Sequence, residues 1–431
     1  MASSAFRRSA GLPCHEVHRL RRQRRLLHNF FAACAPALLA CLLFPAAAQA
    51  TVTAPNGTDT DPLNLQPATQ QAFQHFYDLD YAAAETGFTQ IAAEHPDDPI
   101  AADYLLNNAV FQELYRLDLL DTTLYVQDGF LSGKHGVTED PRTSAHIEAL
   151  YNHAVELANA RLAKDPRDTD ALFARGFGTS LETVYIGMVE KKYTAALKMA
   201  LAARRDNDQV LKNDPKYVDA YLIVGVHEYV LGSLSLPFKI LAGIVGIHGS
   251  KSKGLAELRR VGQYGTINSV SARTALSIFL RREAKYPQAI TVIDGLEQQY
   301  PRNFLFALEN ANLLKDSGHG MQAIAAYQRL IAGMKNYPNP HPELAYYGLG
   351  EAARGQRHYH IALAAYLAAA TQPTTSPLMQ RRAHLRAGQV DDLLGHRQQA
   401  IQQYDAVIAL GSQFSQAQEA SQLRRTPYTG T

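Results

Sequence analysis

Sixteen histidines are spread along the 431 residues, and their spacing argues against a metalloenzyme. A helical zinc-protease site needs two histidines four apart with a glutamate after the first; His227 is followed by Glu228, but residue 231 is leucine. His358 and His360 would point to different sides of any helix they share. The run from Gly246 through Lys251 to Ser252 approaches a phosphate-binding loop. That loop needs glycine directly before its lysine and again five residues earlier, where Ser250 and Val245 stand, and no strand pattern precedes it. Lys251, Lys253, Arg259 and Arg260 therefore read as a solvated helix start. The pairs Asp97–Asp98 and Asp391–Asp392 read as acids at helix starts or on exposed faces. Neither a Gly-x-Ser-x-Gly elbow nor a glycine-rich dinucleotide fingerprint occurs. No catalytic, cofactor-binding or metal-ligating residue is assigned, no cofactor is expected, and the chain is read as a non-enzyme. An enzyme with an unrecognised site around His227, Glu228 and Tyr264 is the contrary reading.

The first 50 residues differ from the rest. Seven arginines against the single acid Glu16 precede an apolar stretch over 26–48, and Ala48, Gln49 and Ala50 form a small-x-small cleavage pattern. This is the layout of an export signal, and it predicts cleavage after Ala50 and a destination in the periplasm or cell envelope. A lipoprotein signal with Cys41 lipidated is the alternative. All three cysteines, Cys14, Cys34 and Cys41, lie in this leader, so the remainder can form no disulfide or thiolate site. With seven of the 42 basic and one of the 40 acidic residues removed, the remainder carries four more acids than bases. Nucleic-acid binding loses its electrostatic support.

The elements that would position any site are set by a repeat. Small residues recur twelve apart as Ala72 and Ala84, Ser277 and Ala289, Ala311 and Ala323, Gly350 and Ala362, Gly388 and Ala400. Four residues after the second members stand Phe88, Ile293, Tyr327, Tyr366 and Tyr404. Successive second members from Ala289 onward are 34, 39 and 38 residues apart, and Pro96 and Pro301 punctuate the units. A small residue on each of two antiparallel helices lets the backbones approach, and the larger residue one turn later fills the space against the next repeat. On these residues the chain resembles tetratricopeptide-repeat proteins, although the early tryptophan of that pattern is absent. The expectation is an all-α helical-hairpin solenoid, a tetratricopeptide-like superhelix. Junctions at Asp165-Pro166 and Asp214-Pro215, with Gly176 and Gly225 ten residues after each proline, predict longer helices in the N-terminal half. A helix is expected to start near Ser144, and no period-two alternation predicts a strand. The organisation read from this is a signal over 1–50, a flexible linker over 51–70, divergent long-helix repeats over 71–265, tetratricopeptide repeats over 266–411 and a tail over 412–431.

Residues 231–249 form an apolar stretch broken by Pro237 and Lys239, too interrupted to span a bilayer. They read as a buried connector, with a membrane-surface or partner-docking hairpin as the second reading. Gly225, Ser233, Leu236, Pro237, Leu241, Gly246, Ile247, Gly249, Gly254, Leu255 and Leu258 follow in order a pattern that resembles the inclusion-body-clearance and mitochondrial-outer-membrane branch of tetratricopeptide proteins. That resemblance implies an interaction protein.

In tetratricopeptide proteins the first helix of each unit lines a concave groove through repeat positions 2, 5, 9 and 12. In the four C-terminal repeats these are Ser271, Thr274, Ile278 and Arg281; Leu305, Leu308, Asn312 and Lys315; Leu344, Tyr347, Glu351 and Arg354; Arg382, Leu385, Gln389 and Asp392. Arg281, Asn312, Lys315, Tyr347, Glu351, Arg354, Arg382 and Gln389 are the candidate partner-binding residues, with tyrosine and leucines for apolar contact and cations or amides for backbone carbonyls or a carboxylate. The expected function is an exported scaffold for protein partners. A membrane-surface assembly factor, touching a bilayer through 231–249, is the alternative.

Overall fold

The computed structural model describes residues 57–125, 139–233 and 248–430. Seventeen α-helices and no strand occur among them. They are α1 (Pro67–Tyr77), α2 (Tyr81–Glu94), α3 (Pro99–Arg116), α4 (Pro141–Lys164), α5 (Thr169–Met188), α6 (Tyr193–Asn213), α7 (Tyr221–Ser233), α8 (Lys251–Tyr264), α9 (Ser269–Arg282) and α10 (Tyr286–Gln299). The last seven are α11 (Phe304–Asp316), α12 (Gly320–Ala332), α13 (Pro342–Gly355), α14 (Tyr359–Ala370), α15 (Pro377–Leu393), α16 (Arg397–Ala409) and α17 (Ser415–Leu423). Consecutive helices pack against one another, and within the C-terminal half α11 also touches α13 and α13 touches α15. That is an all-α stack of helical hairpins.

Sequence punctuation places the ends. Asp80, Asp98, Asp140, Asp168, Asn303 and Ser376 accept hydrogen bonds from backbone amides of the first turns they precede. Prolines open α1, α3, α4, α13 and α15, where their missing amide hydrogen costs nothing. α4 begins at Pro141 rather than near Ser144. α4, α5 and α6 have 24, 20 and 21 residues, against 12 to 14 for α9 to α14, so the N-terminal units are the lengthened ones.

The small-residue pairs sit where two backbones meet. Ala72, Ala84, Ser277, Ala289, Ala311, Ala323, Ala362 and Ala400 are all buried. A Cβ added to Gly350 would lie 2.6 Å from the Tyr366 ring, and one added to Gly388 would lie 2.6 Å from the Tyr404 ring. The aromatic of a unit thus packs first on the small residue of its own unit, and Tyr327 presses also on Gly348 of the next. Its hydroxyl then reaches the first helix: Tyr366 donates to Glu351 (2.6 Å), Tyr404 to Asp392 (2.8 Å) and Tyr327 to Asn312.

Two segments depart from the expected organisation. Residues 58–66, expected within a flexible linker, include a 3-10 turn over Pro62–Leu65 with Leu63 and Asn64 buried, tied by the Asp59 amide to the Lys216 carbonyl (3.0 Å). Residues 415–423, expected in a tail, form α17, whose Ala417 and Ala420 cover the apolar side of the last hairpin. The leader, and with it the expected cleavage site and Cys41, lies outside the described residues, as do residues 234–247 of the central apolar stretch. What is described of that stretch is close-packed: Cβ atoms added to Gly232 and Gly249 would meet backbone across the α7–α8 junction at 2.5 and 2.7 Å. No described helix is long and apolar enough to cross a membrane.

The N-terminal helices do not stay at their end of the stack. Asn303 and Asn339 donate to the carbonyls of Tyr77 (2.6 Å) and Leu79 (2.8 Å), and the Tyr77 and Tyr300 rings lie 4.9 Å apart. After α3 the residues 118–123 cross the first helices of the C-terminal repeats. Leu120 and Thr122 meet Thr274, Ile278 and Leu305 there.

Candidate functional site

The inner face of the C-terminal repeats opens into a basin of about 730 Å³. Its walls are α11, α13, α15 and the start of α17, closed at one end by Asp121 and Thr123. Leu308, Leu344, Leu378 and Leu385 lie deep in it, while Lys315, Arg382, Arg386, Asp316, Glu351 and Glu419 line the mouth and sides.

The charges are held by one another. Arg386 pairs with Glu351 (3.1 Å), Arg382 with Asp121 (3.6 Å) and Lys315 with Asp316 (3.5 Å). The Arg382 guanidinium also lies over the Tyr347 ring, 4.3 Å from its centre. Burial alone would raise the Glu351 carboxyl, but Arg386, Arg354 and the Tyr366 hydroxyl overrule it and hold it at about 2. Glu351 is therefore an anion at every physiological pH, and it fixes two arginines in place.

The expected groove residues divide into two groups. Arg281, Asn312, Lys315, Tyr347, Glu351 and Arg382 are brought together around the basin. Arg354 pairs with Glu351 (3.4 Å) but does not line it, and Gln389 is buried, donating to Glu419 (2.9 Å) beneath α17. Ser271, Thr274, Ile278 and Leu305 are no open surface, because the N-terminal helices and residues 118–123 pack over them. Arg281 is only 3% exposed and pairs with Glu309 (3.1 Å) and Asp316. Tyr347 is 8% exposed, covered by Arg382 and packed on Tyr366 at 5.5 Å, so it supplies a floor and not a protruding anchor. Asp391 and Asp392, read as exposed or helix-start acids, lie at the end of α15: Asp391 is buried, and Asp392 pairs with Arg397 (2.8 Å) and Tyr404.

Around the residues of the enzyme reading, Glu228 accepts from Lys253 (2.8 Å), Arg204 (3.5 Å) and the Ser250 amide (3.1 Å). Burial, helped by Arg204, pulls the His227 imidazole down to about 4 and keeps it neutral. Tyr264 lines a separate shallow depression with Lys216, Arg260 and Gln263. Lys251 and Lys253, read as solvated, are bound by Glu283 (2.7 Å) and Glu228.

One cluster gave no sequence signal. His341 Nδ1 lies 2.9 Å from Asp118 Oδ1 and 2.8 Å from Glu343 Oε1. Asn339-Pro340-His341-Pro342-Glu343 reads locally as a helix start, and only the fold carries Asp118 to it, 223 positions away.

Repeated hairpins, small-residue seams and tyrosine bonds into the inner face define a tetratricopeptide-like helical-repeat protein. No family model matches the chain, and no curated protein sequence matches it. Among solved structures it is similar to a tetratricopeptide repeat protein from Parabacteroides merdae, at 13% identity and a TM-score of 0.34, over 74% of this chain and 97% of that one. It is also similar to yeast Tom70, at 12% identity and a TM-score of 0.37, over 84% and 89%.

Proposed function

We propose that the chain is an exported scaffold that holds a segment of a partner protein in the basin between α11, α13, α15 and α17. One juxtaposition supports this. Lys315, Tyr347 and Arg382, inner-face residues of three successive repeats, surround a single opening of about 730 Å³ with leucines beneath and both signs of charge at its rim. Such a basin suits a short extended or helical segment carrying apolar side chains and charges of its own. Its ion pairs can open toward the partner's groups, which gives selectivity more than raw affinity. Catalysis is not part of the proposal.

Export rests on the Arg-rich, apolar, Ala48-Gln49-Ala50 leader. The protein recovered from its native envelope is expected to begin at Thr51 by intact mass; a diacylglyceryl group on Cys41 would make it a lipoprotein instead.

The binding test is capture from the native envelope with the full chain and with Lys315→Ala, Arg386→Ala. These two side chains are 20% and 32% exposed, so they can be removed without opening the core. The double variant should lose the captured partner and keep its helical content, while Met321→Ala, at an exposed site outside the basin, should capture normally. Wild-type capture by the double variant would move the site out of the basin.

A further inference from the structure

We propose that Asp118, His341 and Glu343 bind one divalent transition-metal ion, of which Zn²⁺ is the best matched, and that the ion clasps the N-terminal helices to the C-terminal repeats. The three donors come from different places: the turn after α3, the residue before α13, and the first turn of α13. Their ligating atoms all lie within 4.8 Å of one another, and all three residues are buried.

The geometry is more than an ion pair requires. His341 Nδ1 faces Asp118 Oδ1 at 2.9 Å and Glu343 Oε1 at 2.8 Å. An imidazole nitrogen carries at most one hydrogen, directed in the ring plane, so it cannot serve both oxygens well. A cation among the three atoms satisfies both carboxylates and takes the nitrogen lone pair.

The surroundings supply a second, independent observation. The remaining oxygen of each carboxylate is already bound: Ser376 donates to Asp118 Oδ2, and Thr374 donates to Glu343 Oε2. Each carboxylate is thereby turned to present one oxygen inward, as outer hydrogen bonds do for metal-binding carboxylates. The Tyr115 ring lies 4.3 Å from the imidazole and sets its plane.

The donor set points to the metal. One imidazole nitrogen with two carboxylate oxygens, buried and few in number, suits a four-coordinate ion that takes N and O ligands. Ca²⁺ and Mg²⁺ demand six or more oxygens and are poorly served. Because Asp118 stands three residues before Asp121, an ion here would fix the end wall of the basin.

The test titrates ZnCl₂ alone into chelator-treated full-length chain at neutral pH, followed by calorimetry and native mass spectrometry. One Zn²⁺ per chain is expected, with a rise in Tm that EDTA reverses. Binding should fall ~100-fold or more in His341→Gln and in Glu343→Gln, and about 10- to 100-fold in Ser376→Ala, which leaves the three ligands in place. Near-isosteric Asp118→Asn, with helical content checked, covers the case in which the other variants fail to fold. Hydrogen exchange on the wild type gives a readout without any mutation: Zn²⁺ should slow the amides at 115–119 and 341–345 together. Absence of saturable uptake by the wild type, uptake undiminished in the ligand variants, or bound Zn²⁺ without protection of both segments would overturn the proposal.

Discussion

Arg281 occupies the twelfth position of its repeat, where a solenoid standing alone would offer it to a partner. Here its Nε donates to Asp316 (2.7 Å) and its Nη1 to Glu309 and Thr122, in a site almost closed to water. Burial raises the Glu309 carboxyl while Arg281 pulls against it, so removing the arginine strands a buried acid. Arg281→Ala should cost about 3–5 kcal/mol in chemical denaturation, a folding effect and not a loss of partner affinity. Gly388 carries a steric version of the same lesson. Its Cβ would enter the Tyr404 ring, so Gly388→Ala should cost about 1–3 kcal/mol, as should Ala362→Leu at its fully buried seam. Equal thermal unfolding of both variants and the parent would show the seam to be misplaced.

A titration belongs at this scale as well. The folded-state pKa of His227 is depressed to about 4, first by burial and then by Arg204. For a base with a depressed pKa the unfolded state binds more protons, so stability is full above the unfolded value near 6.5 and is lost as pH falls toward 4. Asp61, raised to about 7 by burial and by Asp98 and Asp170, works in the opposite direction, so the parent alone does not isolate the histidine. The comparison does. His227→Gln should flatten the loss between pH 6.5 and 4 by on the order of 3 kcal/mol, and an unchanged slope would mean that the imidazole is hydrated.

At the scale of the element, one turn is used again and again. The amides of Asp80, Lys285, His319, His358 and His396 each bond back five residues, at 2.8–2.9 Å, across a residue of positive φ. Those residues are Leu79, Ala284, Gly318, Arg357 and Gly395, with φ from 54° to 84°. This is the closure that ends a helix in the left-handed region, which glycine enters without cost to its side chain. Ala284 and Arg357 are exposed, so Ala284→Gly and Arg357→Gly should each stabilise the fold by up to about 1 kcal/mol in thermal unfolding. Asp118, with φ 59° and the Leu119 amide bonded to Leu114 at 2.8 Å, makes the same turn after α3. No second helix follows directly there. The freed residues instead cross the inner face and carry Asp118 and Asp121 to their distant partners.

Across the whole molecule, that crossing changes how the stack should unfold. An open solenoid is held by nearest neighbours and can fray from either end. Here Asn303, Asn339, Arg302 and the 118–123 segment join regions more than 150 positions apart, so the two ends share contacts. Unfolding should be one transition whose midpoint agrees between helical content and tyrosine fluorescence. Asn339→Ala, which removes one bond to the Leu79 carbonyl, should lower stability by about 1 kcal/mol and speed amide exchange in α1–α2 and α13 together. Faster exchange in only one of the two would show that the ends behave independently.

The residues themselves determined the helical hairpins, their small-residue seams, the lengthened N-terminal units and the faces that turn inward, because these depend on spacings within about 40 positions. Tyr327, Tyr366 and Tyr404 were legible as seam residues, and so was the convergence of inner-face positions such as Lys315, Tyr347 and Arg382, since one repeat geometry propagates down the stack. What lies on that face was not legible. Whether Thr274, Ile278 and Arg281 meet solvent or Leu120 and Thr122 depends on how the summed rotation of successive hairpins brings α3 across α9 and α11. Small angular steps decide that sum, and no local pattern encodes it. The Asp118, His341 and Glu343 cluster was hidden for the same reason: its members are unremarkable turn and helix-start residues until the tertiary fold closes a gap of 223 positions between the aspartate and the histidine.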